Sequence, residues 1–317
     1  MRPLTVKRIC ELTDGAIVGQ VNPAAIVEGC VIDSRDVQQG DAFFALRGTQ
    51  QHGISFAASA LRDGANVVIA DEAMSASCQT PHVAVEDVEI ALAQLAQANR
   101  RQSDALVVGI TGSVGKTTAR GMISAVMQTV HTGIESPRNF NNHLGVPLSL
   151  LELQDGDEFA VIEIGASGPG EIRALSSIAE PEMAVVTRVA PAHLNGFRSL
   201  TAVQAEKQEL VAALPADGIA FLNADDPAVV KMAAASDARV VTFGQAESAN
   251  VRATDVASAN GRLSLTVDGF RYEVPVCGRH NVTNALAAIA VGQEVGLEPE
   301  MINAGLQSFQ PQPGRCV

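Results

Sequence analysis

Residues 105–120 read ALVVGITGSVGKTTAR, and the fold prediction starts from this stretch. The apolar run 105–110 has the composition of a strand buried on both faces of a parallel sheet. Two glycines follow it, and Lys116-Thr117-Thr118 then opens a segment whose apolar residues recur at helical spacing. A strand, a glycine loop and a helix in this order predict a phosphate-binding loop, in which backbone amides and the positive end of the helix hold phosphate oxygens.

The residue types of the loop suit a nucleoside triphosphate. Lys116 is predicted to reach the outer phosphates, and Thr117 is placed to hold magnesium. The strict pattern has glycine five residues before Gly115, where this chain has Ile110 and carries Gly112 inside the loop instead. An ordinary structural turn is the alternative for a G-K-T sequence. The predicted ATP-binding residues of the loop are Thr111, Gly112, Ser113, Val114, Gly115, Lys116, Thr117 and Thr118.

Strand and helix patterns alternate from this loop to residue 243. Near-continuous apolar runs predict strands at 105–110, 159–165, 183–189, 218–223 and 239–243, with helices between them at 117–130, 171–178, 201–213 and 227–234. This alternation predicts an α/β fold with a mostly parallel sheet and helices on both faces. Residues 262–276 alternate around Asp268-Gly269, which predicts a hairpin and hence a short antiparallel β addition. Helices are predicted after it at 281–295 and 299–308.

The first 85 residues predict a separate, small α/β domain. Its strands are expected at 30–33, 41–46, 66–70 and 82–85, with a helix at 54–62. Asp87 is placed to cap a helix running to Arg100, which is expected to open the second domain. The predicted organisation is therefore a small N-terminal domain at 1–85 and a P-loop ATPase domain at 86–312.

Composition narrows the function. The chain has 317 residues, 47% hydrophobic and 18% charged, as in a folded protein with room for two cores. A net charge of −13 without a basic block disfavours nucleic acid and membrane surfaces as partners. No apolar run is long enough to span a bilayer, and the N-terminus lacks the apolar run of a secretion signal. The five scattered cysteines indicate free thiols in a reducing cytoplasm.

Glu163 is a charge inside the otherwise apolar run 159–165. Magnesium on a nucleotide usually needs an acidic residue at the end of a neighbouring strand, which is where Glu163 stands. A structural ion pair is the alternative. In either case a buried carboxylate requires a cation or hydrogen-bond donors around it.

Other polar residues stand at positions that permit two interpretations. His193 follows a buried strand at the sheet edge where such folds bind ligands, although a loop histidine is more often solvated. Lys207 lies on a predicted helix, where a surface lysine is the ordinary case. Asn139, Asn141 and Asn142 form an amide cluster that turns and caps also explain.

A series of motifs runs in order through nearly the whole chain. They are TGSVGKTT, NFNNHLGVPLSLL, EIGASGPGEI, VAPAHLNGF, EKQEL, LNADDP, GRHNVTNALAA and PQPGR. Together they resemble the Mur ligases, the ATP-dependent amide-forming enzymes of peptidoglycan synthesis. The combination of NFNNHLGVPLSLL with EIGASGPGEI is similar to the branch that adds D-alanyl-D-alanine to UDP-N-acetylmuramoyl-tripeptide through an acyl phosphate.

The resemblance implies ATP and Mg²⁺ as cofactors and assigns roles to residues. The implied catalytic residues are Lys116, Glu163, His193 and Lys207, and the implied metal ligands are Thr117, Glu163, His193 and Lys207 as a carbamate. His280, Asn281 and Asn284 stand where the family holds adenine, and Arg315 matches an arginine that contacts the terminal phosphate. Ser34, Arg35 and Gly48 match segments that hold the uridine part of the substrate, which makes residues 1–85 the UDP-substrate domain. Asn139 and Asn142 are further implied substrate-binding residues.

The family continues beyond the glycine-arginine motif with a further domain. The resemblance therefore implies that residues 313–317 begin a C-terminal domain that this chain lacks. Two alternatives stay open: a sister Mur or folylpolyglutamate-type ligase, and a nucleotide-binding module without ligation activity of its own. No feature of the sequence specifies an oligomeric state.

Overall fold

The computed structural model describes residues 1–48, 51–76, 78–191 and 194–311, except for the side chains of Leu194 and Asn195. The chain divides into two compact units. The first contains residues 1–103 together with 143–155, and the second contains 104–142 together with the chain from Gly156 onward.

Both units contain helices and strands. Up to residue 103 they are β1 (Leu4–Thr5), α1 (Val6–Thr13), β2 (Ala16–Val18), β3 (Ile26–Val27), β4 (Gly29–Val31), β5 (Asp41–Phe44), α2 (Ala57–Asp63), β6 (Val67–Asp71), α3 (Glu72–Ser75), β7 (His82–Val85) and α4 (Val88–Arg101). They continue as β8 (Leu106–Thr111), α5 (Lys116–Met127), β9 (Gly133–Glu135), α6 (Gly145–Leu151), β10 (Phe159–Glu163), α7 (Glu171–Ala179), β11 (Met183–Val186), α8 (Leu194–Phe197), α9 (Leu200–Ala212), β12 (Ile219–Asn223), α10 (Pro227–Val230), β13 (Arg239–Gly244), β14 (Val251–Arg252), β15 (Thr254–Ala259), β16 (Arg262–Val267), β17 (Phe270–Val274), α11 (Asn281–Glu294) and α12 (Pro299–Ser308).

The first unit is built on a five-stranded sheet in the order β2-β7-β6-β5-β4. Its strands pair in parallel except for β2, which runs antiparallel to β7. The buried runs at β5, β6 and β7 are the ones that the sequence predicts. The short strands β1 and β3 form a separate antiparallel pair.

Helix α4 belongs to the first unit and does not open the second. Its N-cap is Asp87, as expected, since the carboxylate accepts hydrogen bonds from the N–H groups of Glu89 and Ile90. The helix packs against α1 and α6, and Asn99 Nδ2 donates to the carbonyl oxygens of Leu150 and Leu153 at 2.9 and 3.1 Å. The units therefore divide after residue 103, where the sequence suggested residue 85, and residues 143–155 join the first unit.

The second unit contains a seven-stranded sheet in the order β14-β13-β12-β11-β8-β10-β9. All of its pairs are parallel, and β8 lies inside the sheet between β11 and β10. The chain fills one side of β8 through β9 and β10 and then crosses to the other side through β11. Open α/β sheets bind ligands at the carboxyl ends of their strands where the order reverses in this way, and the loop after β8 lies there.

A three-stranded antiparallel sheet, β15-β16-β17, follows the parallel one. The hairpin between β16 and β17 turns at Asp268 and Gly269, whose φ angles are 49° and 81°, as a type I′ turn requires. The predicted α/β fold with its antiparallel addition is confirmed. Helix α5 buries Met122, Ile123 and Val126 against α11 and α12. Within the described part of the chain, no helix has both the length and the apolar composition needed to cross a membrane.

Candidate active site

The loop between β8 and α5 requires glycine at two positions. Gly112 and Gly115 have φ angles of 155° and 90°, which L side chains rarely adopt. A Cβ atom on Gly112 would lie 2.0 Å from Thr187 Oγ1, and one on Gly115 would lie 2.5 Å from Asn284 Oδ1. Gly112 therefore supplies the close backbone packing in a loop that has isoleucine at position 110.

The segment that follows β11 holds this loop in place. The N–H of Ser113 donates to the carbonyl of Arg188 at 2.7 Å, and Ser113 Oγ donates to the carbonyl of Ala190 at 2.9 Å. Thr187 Oγ1 donates to the carbonyl of Val114 at 2.6 Å. These contacts hold the middle of the loop, at Ser113 and Val114, so a ligand meets a preorganised surface.

The N-terminus of α5 faces the loop. Its N-cap is Gly115, which provides no side-chain hydrogen bond, and the first turn carries no acidic residue. The first N–H groups of a helix have no intrahelical acceptor and carry partial positive charge. Lys116 Nζ donates to the carbonyl of Gly112 at 2.8 Å, so the ammonium group lies over the loop. A helix end and a cation in this arrangement suit phosphate.

Glu163 ends β10 and pairs in register with Ile110 on β8, next to the loop. Its side chain is only 2% exposed. Asn141 Nδ2 donates to Glu163 Oε1 at 2.8 Å, and Arg120 Nη1 lies 3.4 Å from Oε2. The buried carboxylate thus has both a donor and a cation, as its burial demands. Each carboxylate oxygen keeps a further lone pair for another ligand.

Lys207 on α9 is 4% exposed, so it is not the surface lysine that its helix position suggests. It lines a cavity of about 150 Å³ together with Gly112, Ser113 and Lys116 of the phosphate loop. Burial and, second, the positive charge of Lys116 lower the pKa of Lys207 from its ordinary 10.5 to about 8. A larger share of this amine is therefore neutral, and hence nucleophilic, near neutral pH.

The neighbouring Glu206 contacts the start of α7 and not the loop cavity. Its carboxylate accepts hydrogen bonds from the N–H groups of Gly170 and Ile172, both at 2.7 Å, where α7 begins. Gly170 is the N-cap of α7 and has no side chain to cap it, so Glu206 supplies the cap from α9. The adjacent residues thus have separate roles, since Glu206 joins two helices while Lys207 faces the loop cavity.

The three asparagines of the amide cluster differ in their surroundings. Asn141 holds Glu163, and its carbonyl accepts from the N–H of Gly165 at 2.8 Å. Asn142 is exposed and lines the same cavity as Lys207. Asn139 is exposed on the same segment. Asn139 and Asn142 are therefore accessible to a ligand, whereas Asn141 orients a carboxylate.

A second cavity, of about 380 Å³, also borders the loop. Val114 and Gly115 of the loop line it together with His280 and Asn284. Asn281 is fully buried: Nδ2 donates to the carbonyl of Cys277 at 2.8 Å, and Oδ1 accepts from Asn284 Nδ2 at 3.1 Å. Two of the three predicted adenine residues therefore face this cavity, and Asn281 holds Asn284 in place.

Further residues line the second cavity, and the sequence does not predict a nucleotide contact for them. They are Thr187, Arg188, Asn223, Asp225, Gln245, Arg279 and Thr283. Several of them lie at or after the carboxyl ends of β11, β12 and β13. Ligands bind at these ends of an open α/β sheet, so this position could have identified the residues from the sequence. In the LNADDP motif, Asp226 caps α10 by accepting a hydrogen bond from the N–H of Ala228 at 2.9 Å.

The first unit has its own cavity, of about 490 Å³. It brings together Ser34, Arg35 and Gly48, the three residues predicted there, and Phe56 lines it as well. Asp33 begins the turn at Ser34, and its carboxylate pairs with the Arg35 guanidinium. Hydrogen bonds from Arg35 lower the pKa of Asp33 to about 2. The Arg35 side chain is 87% exposed and accessible to a ligand.

Comparison with known proteins places the chain in a family. Residues 110–292 match the Mur ligase middle domain, and residues 26–100 match the Mur ligase family catalytic domain. The UDP-N-acetylmuramoyl-tripeptide--D-alanyl-D-alanine ligase of Bacillus subtilis is 33% identical over 96% of this chain and 67% of its own length. This chain belongs to the Mur ligase family.

Other relatives of this Mur ligase agree. The ligase of the same name from Escherichia coli is 33% identical over 99% of this chain and 70% of its own length. A crystal structure of MurF from Acinetobacter baumannii superimposes with a TM-score of 0.91 at 29% identity, covering 99% of this chain and 70% of that one. MurF from Thermotoga maritima in complex with ADP gives a TM-score of 0.78 at 29% identity, covering 90% and 67%. The chain thus spans about two thirds of these relatives.

The family makes this chain a nucleotide-binding, ATP-dependent ligase of peptidoglycan synthesis. The structure of this Mur ligase gathers Lys116, Lys207 and Asn142 around one cavity and places Glu163 at the adjacent strand end. His193 and Arg315, both predicted site residues, lie outside the residues that the structure describes.

Proposed function

We propose that this Mur ligase joins D-alanyl-D-alanine to UDP-N-acetylmuramoyl-tripeptide at the expense of ATP. The observation that carries the proposal is the meeting of Lys116, Lys207 and the loop backbone at one cavity, in a chain whose relatives bear that name. The loop supplies a phosphate site, and the buried lysine supplies a group that can be converted to an anion. Both are needed where a carboxylate is activated by phosphate.

ATP is proposed to lie across the loop. The outer phosphates contact the amides of residues 111–118 and the Lys116 ammonium group, while adenine occupies the cavity of about 380 Å³ beside His280 and Asn284. Asn281 acts through Asn284, which it holds by a hydrogen bond. Arg315 is proposed to contact the terminal phosphate on the basis of the family resemblance alone.

Magnesium fits the oxygen donors beside the loop. The Thr117 hydroxyl and the Glu163 carboxylate are hard ligands, and Mg²⁺ in nucleotide sites takes one or two carboxylates with phosphate oxygens and water. Thr111 Oγ1 is buried at the start of the loop without a hydrogen-bond partner among the described residues, so the site can accept a further polar ligand. When bound, Mg²⁺ screens the negative charge of the phosphates. His193 is proposed as a ligand of a second ion.

Lys207 is proposed to be carbamylated. Its neutral amine adds to carbon dioxide, forms a nitrogen–carbon bond and releases a proton, which leaves a carboxylate-like group in the cavity. A negative charge there offsets the Lys116 ammonium group nearby, whereas a protonated Lys207 would add to it. The carbamate is proposed to take part in holding the second ion with His193.

The uridine part of the substrate is proposed to bind the cavity of the first unit. Ser34, Arg35 and Gly48 line that cavity, and an exposed arginine suits the diphosphate of a UDP-linked substrate. Asn139 and Asn142 are proposed to contact the peptide end of the substrate.

The proposed reaction has two steps. A terminal carboxylate oxygen of the tripeptide attacks the γ-phosphorus of ATP, and ADP leaves. The amine of D-alanyl-D-alanine then attacks the acyl carbon, loses a proton and expels inorganic phosphate, which keeps the oxygen that came from the carboxylate. Lys116 and the loop amides hold the phosphates in line and stabilise the charge that develops on them.

The proposal is tested by measuring ADP release with each substrate alone and with both together. The full reaction requires UDP-N-acetylmuramoyl-tripeptide and D-alanyl-D-alanine at once, and the expected product is the UDP-linked pentapeptide, identified by its mass. Release that depends on a different amine or carboxylate would indicate a sister ligase. ATP binding without coupled turnover would indicate a nucleotide-binding module.

We also propose that the enzyme works in the cytoplasm. ATP and UDP-linked precursors are cytoplasmic metabolites, and Cys10, Cys30, Cys78 and Cys277 are free thiols in the structure, as expected in a reducing compartment.

A further inference from the structure

Arg120 lies on α5, four residues after Lys116, and its side chain is only 1% exposed. It is among the largest fully buried side chains of the described chain. Arginine is almost never fully buried unless it is paired, because its guanidinium group stays charged. The partners of Arg120 therefore indicate what the buried charge does.

Those partners lie on two segments, the stretch from the end of β9 to Arg138 and the end of β10. Arg120 Nη1 donates to the carbonyl of Arg138 at 2.6 Å and lies 3.4 Å from Glu163 Oε2. Arg120 Nε lies 3.3 Å from Glu135 Oε2. Burial raises the pKa of Glu135, and the Arg120 charge opposes that rise. One guanidinium group thus contacts two carboxylates and a backbone carbonyl. When both carboxylates are ionised, Arg120, Glu135 and Glu163 together carry a net charge of −1.

The segment at 136–141 completes a closed set of contacts around Glu163. The N–H of Glu163 donates to Ser136 Oγ at 3.0 Å, and Asn141 Nδ2 donates to Glu163 Oε1 at 2.8 Å. Arg138 has a φ angle of 48°, in the left-handed region, and its carbonyl is the one that Arg120 binds. Arg120 therefore holds the Glu163 carboxylate directly and also holds the segment that binds it from the other side.

We propose that Arg120 is a positioning residue for the magnesium site, acting through Glu163. This inference rests on the proposed role of Glu163 as a magnesium ligand. A carboxylate whose two oxygens are already anchored loses little freedom when it binds an ion, so its ion affinity is higher than that of a mobile carboxylate. Lysine cannot replace Arg120, because a single ammonium group lacks the planar fork that reaches three acceptors.

The test compares Arg120→Lys with the unaltered chain in calorimetric titrations of ATP, with Mg²⁺ and with EDTA. Arg120→Lys is expected to lose about tenfold in affinity for ATP with Mg²⁺, the effect of one charge-assisted hydrogen bond. Its affinity for metal-free ATP is expected to stay unchanged. Arg239→Lys is the matched control, because Arg239 forms an exposed ion pair with Glu294 at the start of β13, away from the loop. The control is expected to change neither affinity.

A second variant covers the case in which Arg120→Lys does not fold. Arg120→Gln combined with Glu135→Gln removes one charge of each sign and keeps the net charge of the buried group, and it is expected to show the same selective loss. The inference would be overturned if the variants bound ATP as tightly as the unaltered chain does, both with and without Mg²⁺. It would also be overturned if they lost the same factor in ATP affinity in both conditions. If the unaltered chain itself gains no ATP affinity from Mg²⁺, the magnesium proposal fails and the inference fails with it.

Discussion

Lys207 is the residue at which the structure changes the expected chemistry most. At its ordinary pKa of 10.5, roughly 0.03% of a lysine is neutral at pH 7, whereas at about 8 the neutral share is roughly 9%. The amine form that reacts with carbon dioxide is thus enriched roughly 300-fold. The cause is burial first and Lys116 second, so the enrichment requires the folded site. We expect Lys207 to be carbamylated in buffers that contain bicarbonate.

The assay is carbon NMR of the protein in ¹³C-labelled bicarbonate. A carbamate signal is expected from the unaltered chain and from Lys231→Arg, which alters an exposed lysine, but not from Lys207→Arg. At a fixed concentration of dissolved carbon dioxide, the initial rate of labelling follows the neutral amine. It should therefore rise with pH and level off above about 8, the pKa of Lys207.

Two results would refute this reasoning. One is an unchanged carbamate signal in Lys207→Arg, and the other is a labelling rate that keeps rising to the pKa of an ordinary lysine. Lys207→Ala should lose activity that short carboxylic acids partly restore by filling the vacated space. Activity that is unaffected by Lys207→Ala would leave the ATP site intact as a proposal but remove the carbamate.

Three further predictions concern the phosphate loop, the cavity of the first unit and the start of α7. Lys116→Ala should fold and bind ATP at least tenfold more weakly by calorimetry, because it removes a charge from the outer phosphates; unchanged affinity would contradict the loop assignment. Arg35→Ala should weaken binding of UDP-N-acetylmuramoyl-tripeptide and leave ATP binding intact, with the exposed Arg62→Ala as control; equal loss of both ligands would point to misfolding. Glu206→Ala should lower the free energy of unfolding by about 2 kcal/mol in urea denaturation, because the buried N–H of Ile172 and the part-buried N–H of Gly170 lose a charged acceptor. Glu206→Gln should lose less, and Glu209→Ala, on the same helix, should change stability little; equal effects at 206 and 209 would contradict the capping role.

The parallel sheet and its phosphate loop could be predicted because local pattern determines them. Strands buried on both faces read as continuous apolar runs, and the loop at 111–118 joins one of these runs to an amphipathic helix. Helix α12 begins and ends where the pattern places it, at Pro299 and Ser308. Helix α6 was not predicted, and its membership of the first unit depends on contacts with α4 far away in the sequence. Short edge strands such as β9 carry too few residues to show a period.

The roles of side chains were harder to predict from the sequence than the helices and strands, because the burial of a side chain depends on the assembled fold. Arg120 follows the phosphate loop on an amphipathic helix, where an arginine ordinarily indicates the solvated face, yet the structure buries it between two carboxylates. Lys207 likewise lies on a helix without a clear apolar stripe. Asn281 belongs to a motif associated with adenine, and only the structure shows that it is buried and hydrogen-bonded to Asn284. Each of these roles depends on distances between segments that are far apart in the chain, and the spacing of residues along the sequence does not give those distances.

In the proposed reaction, ATP activates the tripeptide carboxylate as an acyl phosphate. The most direct test uses UDP-N-acetylmuramoyl-tripeptide with ¹⁸O at both oxygens of its terminal carboxylate, together with ATP and D-alanyl-D-alanine. Mass spectrometry of the released phosphate then follows the oxygen. For each amide bond formed, we expect one molecule of inorganic phosphate that carries one ¹⁸O atom. Amide product accompanied by phosphate without the label would contradict the proposed reaction.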